Sequence, residues 1–195
     1  MSDTKEFIID QAYKLFLDSS YEAVSISDIS KAIGFTKGAL YHHFLNKEEL
    51  FKAVIDKYLY IPRIDADVEN ITLLQFIEVS IEQSEKIIKS VFDSELNYKP
   101  INYLSLFIDA FRHYPGYAED KENFIIGEIE KTKVVLTNAI KLGEIRDDIN
   151  IPVIAGNFYN INMGLAGNMI HTNSVETAIA LLKDQLAEFY KLLKK

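Results

Sequence analysis

The sequence predicts an all-α protein of about nine helices, in which an N-terminal helix-turn-helix domain precedes a C-terminal helical bundle. Three observations lead to this fold class. Glycine and proline are sparse, at 8 and 4 of 195 residues, which favours long uninterrupted helices. Apolar residues recur at helical spacing, as Ala12, Leu15 and Phe16 do in the first segment. The alternating polar and apolar runs that predict strands are missing.

The first four helices are placed by residues that can cap a helix N-terminus, which are Thr4, Ser25, Thr36 and Asn46. Ser25 and Asp28 have the spacing of a capping box, so a short second helix starts there. Gly34 ends it, because glycine adopts the left-handed conformation of a helix C-terminus without strain. Three short helices within about 45 residues are therefore expected before the longer ones.

Five longer helical segments follow, and their approximate bounds are 71–92, 101–114, 117–142, 152–172 and 174–193. No Asp, Glu, Lys or Arg lies between Ile149 and Glu176. Six asparagines in that stretch would be penalised in hydrocarbon, so we expect no membrane span there. A helix without charge on any face instead fits burial between its own core and a second subunit. We expect a homodimer that pairs 152–172 and 174–193 with their mates in a four-helix bundle.

Composition excludes several classes of function. Without cysteine there are no disulfides, thiolate metal sites or cysteine nucleophiles. The sequence also lacks the common catalytic signatures, including a P-loop, so we expect neither an enzyme nor a cofactor. The adjacent His42 and His43 point about 100° apart on a helix and have no third ligand nearby, which argues against a metal site. The N-terminus has no signal-peptide core, so a cytoplasmic location is expected.

Charge is distributed unevenly along the chain. The whole chain has 21 basic and 29 acidic residues, a net charge of −8, which argues against general binding to nucleic acid. Residues 31–47 nevertheless contain Lys31, Lys37 and Lys47 and no acidic residue. Ile26, Ile29 and Ile33 can support a helix-turn-helix in the same region. The pattern therefore favours one DNA-binding surface on an acidic protein.

The string GFTKGALYHHFLNKEEL resembles the most diagnostic pattern of the TetR family of bacterial transcriptional regulators. The resemblance covers about residues 5–55, and the matching residues are Phe16, Tyr21, Ile29, Ala32, Gly34, Phe35, Thr36, Lys37, Gly38, Leu40, Tyr41, Phe44, Lys47 and Leu50. Ser20 replaces the family's usual glycine and Ser30 its usual alanine. Both replacements are small, so we expect little structural consequence.

The resemblance implies a DNA-binding domain over 1–46 and an effector-binding and dimerisation domain over 47–195. The residues that it implies contact DNA are Ser25, Thr36, Lys37, Gly38, Ala39, Tyr41, His42 and Lys47. Ser25 and Thr36 would cap helices at the DNA backbone, and Lys37, Gly38 and Ala39 would lie in or against the major groove. Tyr41, His42 and Lys47 would contact phosphates. Since no arginine occurs in the first 62 residues, we expect Lys37 to read guanine, and Thr36 or Ala39 to contact thymine methyls.

Aromatic and polar residues share the same C-terminal segments, which predicts a pocket for a small molecule. The candidate lining residues are Tyr103, Phe107, Phe111, Arg112, His113, Phe124, Asn157 and Asn160. For most of the aromatic residues, core packing is the alternative explanation. The combined prediction is a repressor that binds a palindromic operator as a dimer and is released by an effector. Alternatives are a DNA-binding regulator controlled by a protein partner or by no ligand, and a helical-bundle enzyme.

Overall fold

A computed structural model describes residues 2–92 and 98–195, and within these ranges it contains nine α-helices and no strand. They are α1 (Ser2–Asp18), α2 (Ile26–Ile33), α3 (Lys37–His43), α4 (Lys47–Tyr58), α5 (Leu73–Phe92), α6 (Pro100–His113), α7 (Tyr117–Lys141), α8 (Ile151–Thr172) and α9 (Val175–Leu193). The predicted all-α class is confirmed. The described chain divides into two compact units, one of residues 2–61 and 98–119 and the other of 62–92 and 120–195.

The first unit contains α1 to α4 and α6 around an aromatic core. Phe16 and Phe51 are fully buried, with their ring centroids 5.0 Å apart in an edge-to-face arrangement that aromatic quadrupoles favour. Tyr13 stacks on Tyr58 with 3.6 Å between centroids, which joins α1 to α4. Lys57 of α4 also donates hydrogen bonds to two carboxylates of α1, those of Glu6 and Asp10. This unit therefore extends beyond residues 1–46, and the division of functions between 1–46 and 47–195 stays a prediction.

Capping side chains set the starts of the short helices as predicted. The Ser25 hydroxyl accepts a hydrogen bond from the Asp28 N–H at 3.2 Å, and the Asp28 carboxylate accepts one from the Ser25 N–H at 3.0 Å. Asn46 caps α4 by accepting the Glu49 N–H at 2.8 Å. The predicted start at Thr4 is wrong, because α1 already begins at Ser2.

The second unit contains α5, α8, α9 and most of α7. Phe76 of α5 and Phe158 of α8 are buried with 5.4 Å between ring centroids, and Leu182 and Leu186 of α9 are fully buried in the same core. The segment before α5 is held on this unit by Gln83, whose amide donates to the Pro62 and Arg63 carbonyls. Among the described residues, none of the helices has the length and hydropathy needed to cross a membrane.

Candidate nucleic-acid interface

The helix-turn-helix of α2 and α3 is formed by a left-handed glycine between two anchored helices. Ile29 and Ile33 of α2 and Leu40 of α3 are buried, so the helices are fixed from behind. Gly34 ends α2 at φ 71° and ψ 20°, and its N–H donates to the Lys31 carbonyl at 3.2 Å. Only a residue without Cβ takes this backbone conformation at no steric cost. The predicted turn glycine therefore occupies the position that requires it.

Ser30 stabilises the same turn by a hydrogen bond across it. Its side chain is buried, and its hydroxyl donates to the Phe35 carbonyl at 2.6 Å, while the Phe35 N–H donates to the Ser30 carbonyl at 3.1 Å. The size of Ser30 had indicated little consequence for replacing alanine. The hydroxyl instead adds a hydrogen bond across the turn, which size does not reveal.

The predicted DNA-contacting residues of α3 lie on the surface. Thr36 caps α3 by accepting the Ala39 N–H at 3.2 Å, and Lys37, Gly38 and Ala39 form an exposed first turn. Further along, Tyr41 is 50% exposed and His42 is exposed. A side chain that binds DNA must be accessible, and these residues meet that condition. Their individual contacts with DNA stay predictions.

Ser25 shares its hydroxyl with a carboxylate at the start of α2. The Ser25 hydroxyl donates to the Asp28 carboxylate at 2.5 Å. This bond from the Ser25 side chain is the main reason that the pKa of Asp28 lies below its usual range, so Asp28 is ionised at neutral pH. The predicted phosphate contact of Ser25 therefore lies beside a negative charge, which Lys31 and Lys37 partly offset.

Lys47 has a different environment from the exposed Lys37. It is half-buried, and its ammonium donates to the main-chain carbonyls of Tyr21 and Val24 at 2.9 and 3.1 Å. The ammonium also lies 3.9 Å from the centre of the Tyr21 ring. The predicted phosphate contact of Lys47 stays a prediction, and the described bonds direct its charge towards the turn before α2.

Tyr21 is also held from α6, by contacts that the sequence did not predict. Its N–H donates to the Asp109 carboxylate at 2.7 Å, and Asp109 is only 5% exposed. The His113 ring stacks on the Tyr21 ring at 4.2 Å, and His113 Nε2 lies 3.5 Å from a Glu22 carboxylate oxygen. One signal was available, because Asp109 is an acidic residue within the apolar run of α6.

The predicted effector-binding residues are distributed between the two units. Five lie in the first unit, namely Tyr103, Phe107, Phe111, Arg112 and His113, and three in the second, namely Phe124, Asn157 and Asn160. Phe107 and Phe111 pack edge to face at 5.0 Å, and His113 is engaged by Tyr21. Asn157 and Asn160 are exposed on α8. Their role in effector binding stays a prediction.

An open groove of about 410 Å³ lies in the second unit. Its lining residues are Asp67, Asn70, Ile71, Gln75, Glu78, Val79 and Glu82. None of the predicted effector-binding residues lines it. Among the described residues, no group of three or more histidine, aspartate or glutamate side chains could hold a metal ion.

Comparison with known proteins identifies the helix-turn-helix. Residues 8–54 match the sequence model of bacterial regulatory proteins of the tetR family, a range that includes α2, α3 and most of α4. Residues 8–54 therefore have the sequence pattern of the TetR family. Relatives and structural neighbours such as ComR and NalD are described as repressors, which agrees with the prediction of a regulatory protein.

The first curated relatives match the chain over 52–95 residues. The HTH-type transcriptional repressor ComR of Escherichia coli K12 is 44% identical over 55 residues, which are 28% of this chain and 26% of ComR. The chain aligns with only 24–44% of the length of the first curated relatives that it matches.

Solved structures extend the likeness of fold over the whole chain. NalD, described as the secondary repressor of the MexAB-OprM multidrug efflux pump in Pseudomonas aeruginosa, has a TM-score of 0.69 at 17% identity, with 100% of this chain and 98% of NalD covered. The SmeT–triclosan complex has a TM-score of 0.64 at 17% identity, with 99% and 92% covered. At these identities the likeness concerns the fold alone.

Proposed function

We propose that this protein is a DNA-binding transcriptional repressor that binds a palindromic operator as a dimer and is released by a small-molecule effector. The observation that carries the DNA-binding part is the exposed first turn of α3, presented by an anchored helix-turn-helix in a region without acidic side chains over 31–47. Lys37 supplies the charge for guanine, and Thr36 and Ala39 supply apolar contacts for thymine methyls. Repression is supported by the relative ComR, which is a transcriptional repressor.

Dimerisation is proposed through α8 and α9. An exposed stripe on α8 consists of Val153, Asn157, Asn160, Gly164 and Gly167, which recur at spacings of four and three residues. Such a spacing keeps them on one helix face. The stripe carries no charged side chain, and a Cβ added at Gly164 or Gly167 would meet nothing within 4 Å. A second helix can therefore approach its backbone closely.

The effector is proposed to act by shifting a population of conformers. In the bound dimer, two α3 helices must reach successive major grooves about 34–36 Å apart. An effector that favours a conformer with a different separation lowers operator affinity, whereas one that binds both states equally shifts nothing. The triclosan complex of SmeT supports a small molecule as the effector, at the level of a shared fold.

Binding-site selection from a random duplex library tests the DNA-binding proposal. We expect enrichment of an imperfect palindrome whose half-sites are one helical turn apart. Selection repeated with Lys37→Ala should relax the preference at the positions that Lys37 reads. No enrichment, or enriched positions that are insensitive to changes at Thr36, Lys37 and Ala39, would contradict the proposed readout.

A charge placed on α8 tests the dimer. Gly164→Glu adds an unpaired carboxylate to the proposed interface, and because glutamate forms helix better than glycine, the monomer should stay folded. We expect the dimer dissociation constant to rise at least about tenfold, since burying an unpaired charge is costly. Ser90→Glu, at an exposed position of α5, is the matched control. Equal dimer dissociation constants for both variants in analytical ultracentrifugation would rule out this interface.

A further inference from the structure

Lys47 is bonded to the main chain rather than extended into solvent. An ammonium has three N–H donors, and two of those on Lys47 point to the Tyr21 and Val24 carbonyls at 2.9 and 3.1 Å. Its distance of 3.9 Å from the Tyr21 ring centre adds a cation–π contact. The first residue of α4 thus binds both ends of a four-residue stretch that precedes α2.

That stretch is the connection that sets where α2 begins. The Ala23 and Val24 N–H groups donate to the Ser20 carbonyl at 3.0 and 3.3 Å, which closes the turn after α1. Directly after Val24 comes Ser25, the residue that caps α2. A displacement of the Val24 carbonyl therefore moves the N-terminus of α2 and, through the buried contact of α2 with α3, the surface proposed to face DNA.

We propose that Lys47 is a positioning residue for DNA binding, which holds the turn at residues 21–24 so that α2 and α3 are preorganised before they meet DNA. Preorganisation raises affinity because ordering is not required at the moment of binding. This inference rests on the proposed function, in which α2 and α3 form the DNA-binding surface. It differs from the phosphate contact predicted by resemblance, in which Lys47 would act directly by its charge.

The two roles differ in their dependence on salt. A lysine that neutralises a phosphate releases counterions, so its removal lowers the slope of log affinity against log salt concentration by about 0.9 per contact. A lysine that positions the turn contributes nothing to this slope, because its charge does not meet a phosphate. Its removal lowers affinity by the same factor at every salt concentration.

The experiment compares Lys47→Met, Lys47→Gln and the exposed control Lys37→Met. Affinity for a duplex obtained by binding-site selection is measured between 50 and 200 mM KCl, the interval over which phosphate contacts have large effects, about 10³- to 10⁵-fold for 6–10 contacts. Amide hydrogen exchange is followed at Ala23 and Val24 in the free protein. Lys37→Met should weaken binding and leave exchange in the turn unchanged.

For Lys47→Met we expect an unchanged salt slope, faster exchange of the Ala23 and Val24 amides, and weaker binding. The loss of affinity should be at least about tenfold, the lower end of what one hydrogen bond to a charged group contributes. Lys47→Gln should bind the duplex more tightly than Lys47→Met and should show slower exchange of the Ala23 and Val24 amides. The reason is that a neutral side-chain amide can still donate to a carbonyl. Lys47→Gln also carries the test if Lys47→Met does not fold.

Either of two results would overturn the positioning role. One is a salt slope that falls by about 0.9 for Lys47→Gln relative to the wild type, with unchanged exchange in the turn. The other is a Lys47 variant with normal affinity and normal exchange. If the wild-type protein selects no duplex, the proposed function fails, and the exchange measurement still decides whether Lys47 holds the turn.

Discussion

Replacing Gly38 by alanine should make the protein more stable and weaken its binding to DNA. Gly38 is the second residue of α3, and a Cβ added there would have the Thr36 hydroxyl as its nearest neighbour at 3.9 Å, an ordinary contact. Glycine in a helix costs about 0.5–1 kcal/mol relative to alanine. At about 2–4 °C per kcal/mol for a chain of this size, Gly38→Ala should raise Tm by about 1–4 °C.

The same methyl group should interfere at the DNA surface. Gly38 is exposed in the free protein and is proposed to lie against the major groove, where DNA replaces water as its neighbour. Adding a methyl to a closely packed contact costs about 1–3 kcal/mol. We therefore expect affinity for the selected duplex to fall about fivefold or more, since 1.4 kcal/mol corresponds to about tenfold. Fluorescence anisotropy with a labelled duplex measures the change.

Gly34→Ala is the matched control with the opposite effect on stability. A Cβ at Gly34 would meet nothing within 4 Å, so the whole cost lies in its backbone, at φ 71°. The left-handed conformation costs an alanine about 1–2 kcal/mol, which predicts a Tm lower by about 2–8 °C. Thermal unfolding followed at 222 nm compares the two variants. A lower Tm for Gly38→Ala would refute the packing argument, and unchanged affinity would refute the close approach of α3 to DNA.

Two further predictions concern the first unit. Ser30→Ala removes the bond to the Phe35 carbonyl and should lower the free energy of unfolding by about 0.5–1.5 kcal/mol in urea titrations, and an unchanged value would deny that bond a role. At Asp10, partial burial raises the carboxyl pKa, but bonds from Lys57 at 2.5 Å and Tyr58 outweigh it and lower the pKa overall. This stabilisation is present above about pH 4 and is lost as pH falls through the lowered pKa. The Tm of Asp10→Asn should therefore fall less than the Tm of the wild type between pH 5 and 2. Parallel curves of Tm against pH for the two proteins would contradict this prediction.

Local chemistry explains why most of the fold could be predicted. Ser25, Thr36 and Asn46 each accept a hydrogen bond from the main chain three residues later, as their spacing required. Gly34 adopts a positive φ because a residue without Cβ has no steric clash in that conformation. Such contacts span only a few residues. Thr4 failed as a cap because the ends of helices are weakly specified by single residues.

Long-range contacts explain what could not be predicted about the site. Lys47 binds carbonyls 23 and 26 residues away, and Asp109 binds the Tyr21 N–H across 88 residues. The residues that lie next to Lys47 or Asp109 in the sequence do not indicate which groups these two side chains bind. The predicted effector residues share a composition typical of pockets, but composition does not say which helix faces meet.

The amino-acid order of this protein was sufficient for its helices, the turn between α2 and α3, and the resemblance of its N-terminal segment to the TetR family. These features depend on side-chain volume, capping and backbone conformation within one or two helical turns. These features did not determine the direction in which a charged side chain points. Lys37 is exposed, whereas Lys47 is half-buried and donates hydrogen bonds to main-chain carbonyls. Both are lysines of the same basic stretch, residues 31–47. The packing of α4 beside the turn after α1 decides this difference, because an ammonium binds the acceptors that the fold brings within reach.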